Sequence, residues 1–176
     1  MATRTTTKRR ARERTVRAYL HERGVAFDVF LHPRAISGIG EARSIGVEAD
    51  EVLKTIVVDT AHGHVLLVLP ASRKLDMSLV HEALGDHHAK LADEAEIARE
   101  YPGFELAAIP PLGSLLGRPV FVDASVFEHA TVIFAAGIQT ESLQVRTQDL
   151  FRDEGAHVAA LTRAAPDDGD RSGPFG

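Results

Sequence analysis

Lys54 is a cation inside a strand pattern. In Val52-Leu53-Lys54-Thr55-Ile56-Val57-Val58 the two-residue alternation of β structure puts Lys54 on the face of Val52, Ile56 and Val58. That face reads as buried, and an ammonium among β-branched side chains must find a partner, reach a cleft or lose its proton. In a cleft it is a fixed positive charge for a developing oxyanion or a phosphate. The plain alternative is a lysine at a strand end that snorkels to solvent or pairs with Asp50 or Glu51. A second candidate is the stretch from Tyr101 to Gly113, dense in proline, glycine and alanine. Its residues set an irregular backbone in advance, and the adjacent Pro110 and Pro111 withdraw two N–H groups from any ladder. Such a loop either brings main chain close to a ligand or is a surface connection.

Other chemistry-bearing residues point nowhere so definite. His62-Gly63-His64 offers two metal ligands, but a glycine-centred hairpin tip explains it, no acidic or cysteine partner stands at ligand spacing, and no metal is expected. His87-His88 reads as exposed. No serine sits in a G-x-S-x-G elbow. Gly38-Ile39-Gly40 lacks the third glycine and preceding strand of a dinucleotide fingerprint, so it reads as a turn and no cofactor is expected. The chain has no cysteine, which excludes a thiolate nucleophile, a disulfide and a zinc-thiolate site.

The elements that must hold Lys54 and the loop are short. Thr15 is positioned to cap a helix through Val16, Tyr19 and Leu20 to Gly24, followed by a strand from Val25 to Leu31 that ends at His32-Pro33. A short helix is expected from Glu41 to Ile45, stopped by Gly46, and Leu53–Asp59 with Val65–Leu69 form a hairpin. Helical spacing returns in Met77, Leu79, Val80 and Leu84 before Gly85, and again at Ile97 and Ala98 behind an acidic start at Asp93, Glu94 and Glu96. Val120–Asp123, Thr131–Ala135 and Leu143–Arg146 read as strands. Without βαβ alternation the expected class is α+β, a mixed and mainly antiparallel sheet with surrounding helices.

The 176 residues fit one domain, expected over 15–163. The net charge of −5 hides an asymmetry: Arg4, Lys8, Arg9, Arg10, Arg12, Arg14 and Arg17 crowd the start. Residues 1–14 read as a basic, flexible arm, either a phosphate-seeking segment or a solvated extension. Residues 164–176, rich in Pro, Gly and Asp, read as a disordered tail. No stretch approaches the roughly 20 apolar residues of a membrane span and no signal-peptide core follows the basic start, so a soluble cytoplasmic protein is expected.

Taken in order, His32-Pro33, Leu53-Lys54-Thr55-Ile56-Val57, the Gly103–Gly113 loop, Phe121-Val122-Asp123 and Ala135-Ala136-Gly137 resemble the YbaK/ProX family of aminoacyl-tRNA deacylases, relatives of the prolyl-tRNA synthetase editing domain. The likeness runs from about the first helix to Leu150. The family's Lys-Thr or Lys-Asn pair corresponds to Lys54-Thr55, its Gly-x-x-x-Pro loop ending in Pro-x-Gly to Ala107 through Pro111 and Gly113, and its small-small-Gly turn to Ala135-Ala136-Gly137. Thr55 is similar to the YbaK branch rather than the asparagine-bearing one. Ala107-Ala108 departs from the adjacent glycines of many members, and glycine permits dihedral angles and close approaches that alanine resists.

The resemblance implies hydrolysis of the ester between a wrong amino acid and the terminal ribose of a transfer RNA. Lys54 is then the catalytic residue, and His32, Thr55, Ala107, Ala108, Ile109, Pro111, Gly113 and Gly137 form the substrate site. The implied substrate partner is aminoacyl-tRNA, with an aminoacyl-tRNA synthetase as a second candidate partner; no membrane is involved and no oligomeric state follows from the residues. Removing the basic arm is expected to weaken tRNA binding and flatten its salt dependence. The rival reading is a catalytically silent module that keeps the pocket to bind an amino acid, a tRNA end or a synthetase.

Overall fold

The computed structural model of the chain describes residues 15–163. The expectations for the basic arm and the acidic tail lie outside the described residues. Residues 15–22 are helical (α1), so Thr15 already belongs to the helix it was expected to cap. Two sheets follow. The smaller, wholly antiparallel, contains β1 (Phe27–Leu31), β6 (Thr131–Ala135) and β7 (Glu141–Arg146) in the order β1-β7-β6. The larger contains β2 (Leu53–Thr60), β3 (Gly63–Pro70), β4 (Lys90–Leu91), β5 (Val120–Asp123) and β8 (His157–Ala159) in the order β4-β2-β3-β5-β8. There β2 pairs antiparallel with β3 and β4, whereas β3–β5 and β5–β8 are parallel. Helices α2 (Gly38–Ile45), α3 (Met77–Leu84), α4 (Glu94–Glu100), α5 (Gly113–Leu116) and α6 (Thr147–Phe151) surround them. The architecture is α+β, and no helix among the described residues is long and apolar enough to cross a membrane.

Helix ends follow local chemistry. Ser37 caps α2 by accepting from the Gly40 N–H, Asp76 caps α3 and Asp93 caps α4, satisfying donors that the first turn leaves free. Gly46 and Gly85 close α2 and α3. The turn expected at Gly38-Ile39-Gly40 is instead the first turn of α2, which begins three residues before Glu41. The hairpin tip also moves: Ala61 and His62 make the turn, while Gly63 and His64 enter β3 and His64 is buried.

Strand β2 has no solvent face. Leu53 and Val57 join the principal core with Leu66, Val68, Val120 and Phe134, whereas Val58, on the face of Lys54, joins Val65, Leu67, Val80 and Leu161. Simple alternation assigned burial to one face; the fold covers both, because β2 and β3 form a wall between two apolar clusters. A third small cluster, Ala42, Val52, Ala71 and Ile133, packs α2 against the start of β2, where a parallel bridge from Val52 to Ile133 joins the two sheets.

Candidate functional site

Lys54 is the second residue of β2, opposite the fully buried Leu69, and is itself half-buried. The first turn of α2 lies against it. A Cβ added to Gly38 would stand 2.6 Å from Ala71 Cβ and 3.8 Å from Lys54 Cβ, so only glycine lets the helix come this close. Among the described residues the Lys54 side chain makes no ion pair or hydrogen bond. The nearby acid Asp50 accepts instead from Ser72 Oγ. Burial, reinforced by the like charge of Lys74, lowers the Lys54 pKa from the ordinary lysine value. An unpaired cation held partly out of water at a helix start is available to an anionic group. Thr55, next along the strand, projects to the opposite face, as period-two geometry requires.

The Tyr101–Gly113 loop is fastened from two sides. The Glu105 N–H donates to the Gly137 carbonyl at 2.9 Å, and Gln139 Nε2 donates to the Leu106 carbonyl at 2.6 Å. Arg34 donates from Nε to Gln139 Oε1 and from Nη2 to Glu105 Oε2 at 3.3 Å. Segment 32–35 is tied to the same β6–β7 turn: the His32 N–H reaches the Thr140 carbonyl at 3.1 Å and the Ala35 N–H the Gln139 carbonyl at 2.8 Å. Residues 32–38 therefore border both the fastened loop and Lys54. Gly137 (φ 87°) is required here, since a Cβ would meet Phe104 Cδ1 at 2.9 Å.

Within the loop the two alanines differ. Ala108 is fully buried and its N–H donates to the Glu105 carbonyl at 3.1 Å, so that amide is already committed. The Ile109 amide makes no hydrogen bond among the described residues. Ala107 is exposed and has φ 62°, the one non-glycine residue with positive φ among the described residues. Left-handed backbone costs an L-residue about 1–2 kcal/mol. We therefore expect Ala107→Gly to raise the urea midpoint by an amount equivalent to about 0.5–1 kcal/mol, because strain is relieved and no packed methyl is lost. A destabilised Ala107→Gly protein would contradict the strain assignment. Pro111 is buried, and Gly113 opens α5 where a Cβ would strike Val120 and the Arg118 carbonyl, a packing requirement of the loop's end.

His32 belongs to a polar chain that local sequence did not reveal. Its Nε2 lies 2.8 Å from Ser142 Oγ and its Nδ1 2.8 Å from the Pro33 carbonyl, while Ser142 also hydrogen-bonds Glu41 Oε1. Ser142 and Glu41 are 0% and 4% exposed. Burial raises the Glu41 pKa to about 7, against the opposing hydrogen bond from Ser142. The neighbouring buried Glu141 is neutralised by Arg17, whose Nε donates to it at 2.8 Å. Glu41 and Ser142 stand 101 residues apart, and no spacing signal joins them.

The buried His64 meets Glu96 Oε1 through Nε2 at 2.8 Å and the Tyr101 hydroxyl through Nδ1 at 2.9 Å. With Asp59 these residues place three potential metal-ligand atoms within 4.8 Å of one another, acidic neighbours that sequence spacing missed. Both ring nitrogens are already satisfied by protein partners. His87 and His88 are exposed, as expected.

The aminoacyl-tRNA editing domain matches residues 35–152 of the chain. The multifunctional Ser/Thr-tRNA deacylase ProXp-y of Escherichia coli K12 is 29% identical over 153 residues, covering 84% of this chain and 91% of its own length. A solved structure described as a candidate trans-editing enzyme for prolyl tRNA synthetase superposes with a TM-score of 0.77 at 22% identity, over 87% of this chain and 98% of its own. A structure of a hypothetical protein gives the same TM-score and identity over 85% and 99%. These two structures share the fold.

Proposed function

The chain belongs to the aminoacyl-tRNA editing family, and from that premise we propose that Lys54 supplies the charge with which it deacylates mischarged tRNA. The protein is a trans-editing aminoacyl-tRNA deacylase, a hydrolase of the ester between amino acid and terminal ribose. Water adds to the ester carbonyl, the bond to the ribose oxygen breaks, and a free amino acid and a ribose hydroxyl leave. The ester is already activated, so positioning and oxyanion stabilisation suffice without a covalent intermediate.

The observation that carries the assignment to Lys54 is its half-buried, unpaired ammonium beside α2. It acts protonated, on the carbonyl oxygen or the terminal phosphate; service as a general base near neutrality would need a fall of about three units from the reference of about 10.4. The Ile109 amide is the loop donor offered to the ester. His32, Ala107 and Gly137 border the acyl and ribose positions. Pro111, Gly113, Ala108 and Thr55 act by holding the loop and strand in shape. Cytoplasm is the location suited to this substrate, and a synthetase is the protein partner suited to a trans-acting editor.

A deacylation screen across tRNAs charged with wrong amino acids, seryl and threonyl esters included, tests the reading. The expected result is release of amino acid at substoichiometric protein. Survival of every ester in the panel would leave only a binding role.

A further inference from the structure

Glu41, Ser142 and His32 can satisfy one another in two ways, and the two differ by the passage of a proton. In the first, the Glu41 carboxylic acid donates to Ser142 Oγ, the Ser142 hydroxyl donates to His32 Nε2, and His32 Nδ1–H donates to the Pro33 carbonyl. In the second, His32 Nε2–H donates to Ser142 Oγ and the Ser142 hydroxyl donates to the Glu41 carboxylate. Both inner hydrogen bonds survive the change with their direction reversed, while the Nδ1 contact to the Pro33 carbonyl loses its proton and must open. The Pro33 carbonyl accepts only, so a proton on Nδ1 is required in the first arrangement and absent in the second.

We propose that Glu41, Ser142 and His32 form a proton wire that delivers a proton from a buried carboxylic acid to the exposed Nδ1 edge of His32, and from there to the ribose oxygen released in deacylation. The proposal rests on the reading that His32 borders the substrate site. The transfer balances: the Nδ1–H bond breaks as an O–H bond forms on the departing alkoxide, the Ser142 proton moves to Nε2, and the Glu41 proton moves to Ser142. The net change converts alkoxide and carboxylic acid into hydroxyl and carboxylate. Glu41 and Ser142 are positioning and proton-holding residues, acting through His32.

The surroundings keep this proton on the wire near neutrality. Burial raises the Glu41 pKa to about 7, with the Ser142 hydrogen bond as the opposing influence. On β7 the charge of Glu141 is met by Arg17 of α1. In segment 32–35, Arg34 is engaged by Glu105 and Gln139. On α2 itself Arg43 is exposed, and from β2 Lys54 lies against Gly38, three residues before Glu41. The cluster around Ala42, of Val52, Ala71 and Ile133, brings no charge.

Two measurements on the full chain test the wire. Nitrogen-15 NMR of the His32 ring, without substrate, is expected to show the neutral ring protonated at Nδ1, the form in which Nε2 accepts from Ser142 and Nδ1 donates to the Pro33 carbonyl, and to show it again in Glu41→Gln, whose amide still donates to Ser142. The kcat/KM for a mischarged tRNA is expected to fall as pH rises through about 7, and in Glu41→Gln to be about a hundredfold lower at pH 6 and to lack that limb. A neutral ring protonated at Nε2, or a Glu41→Gln protein that keeps both rate and limb, overturns the proposal. Should Glu41→Gln fail to fold, the parent protein decides: a neutral ring protonated at Nε2, or a kcat/KM that does not fall through about pH 7, overturns the proposal. Because the tautomer is read without turnover, its result stands apart from any failure of the deacylase reading or of the assignment to Lys54.

Discussion

Lys54→Ala is expected to lower kcat/KM for a mischarged tRNA by about a hundredfold while leaving the fold intact, the order of loss when one preorganised oxyanion donor is removed. The geometry argues for both halves of that result. The ammonium has no counter-ion among the described residues, so its removal breaks no ion pair and leaves no buried polar partner stranded. Its burial is a cost to the folded state, and the alanine variant should be at least as stable as the parent near neutral pH. Alkaline titration gives a second reading with a definite sign. Lys54 has a lowered folded-state pKa, so the stability linked to it is present above the unfolded value and lost as pH falls through the folded one. The parent should therefore gain stability relative to Lys54→Ala as pH rises toward about 10.4. Urea midpoints and steady-state deacylation together check the prediction, and an undiminished rate in folded Lys54→Ala protein would remove Lys54 from catalysis.

Glu41→Gln is expected to stabilise the protein at pH 8 by roughly 3 kcal/mol and to leave stability at pH 4 nearly unchanged. The folded-state pKa is raised from the ordinary carboxyl value of 4.5 to about 7. A raised pKa means that the folded chain holds its proton more tightly than the unfolded one. The linked stability is fully present below the unfolded value and lost as pH rises through about 7. Glutamine keeps the hydrogen bond to Ser142 and cannot ionise, so the difference between variant and parent should open between pH 4.5 and 7 and then level off. Parallel stability curves across that window would show that Glu41 ionises as freely in the folded protein as in the unfolded chain. This measurement concerns folding alone. It would hold or fail whether or not the proton on Glu41 ever reaches a substrate.

The sequence by itself determined those features whose cause is local. The β2–β3 hairpin, α3 with its stop at Gly85, the stop of α2 at Gly46, and strands β5 and β6 follow from apolar period and capping residues within a few positions. Lys54 was legible because a charge in a β-branched run breaks a two-residue rule, and the order of motifs carried the family and with it the reaction. Tertiary structure decided the rest. It began α2 at Gly38, against glycine's poor helix propensity, because only a residue without Cβ fits beside Ala71. The two- and three-residue strands β4 and β8 were too short for a periodic signal and exist because a neighbouring strand supplies their hydrogen bonds. The positive φ of Ala107 is imposed by a loop fastened at Glu105 and Leu106 to the β6–β7 turn, against alanine's own preference. Glu41 and Ser142 read separately as an ordinary helical glutamate and a strand serine. Their shared proton arises only where α2 packs on β7 and water is excluded from both, since the low polarity that raises a carboxyl pKa is a property of the assembled interior and of no short stretch of chain.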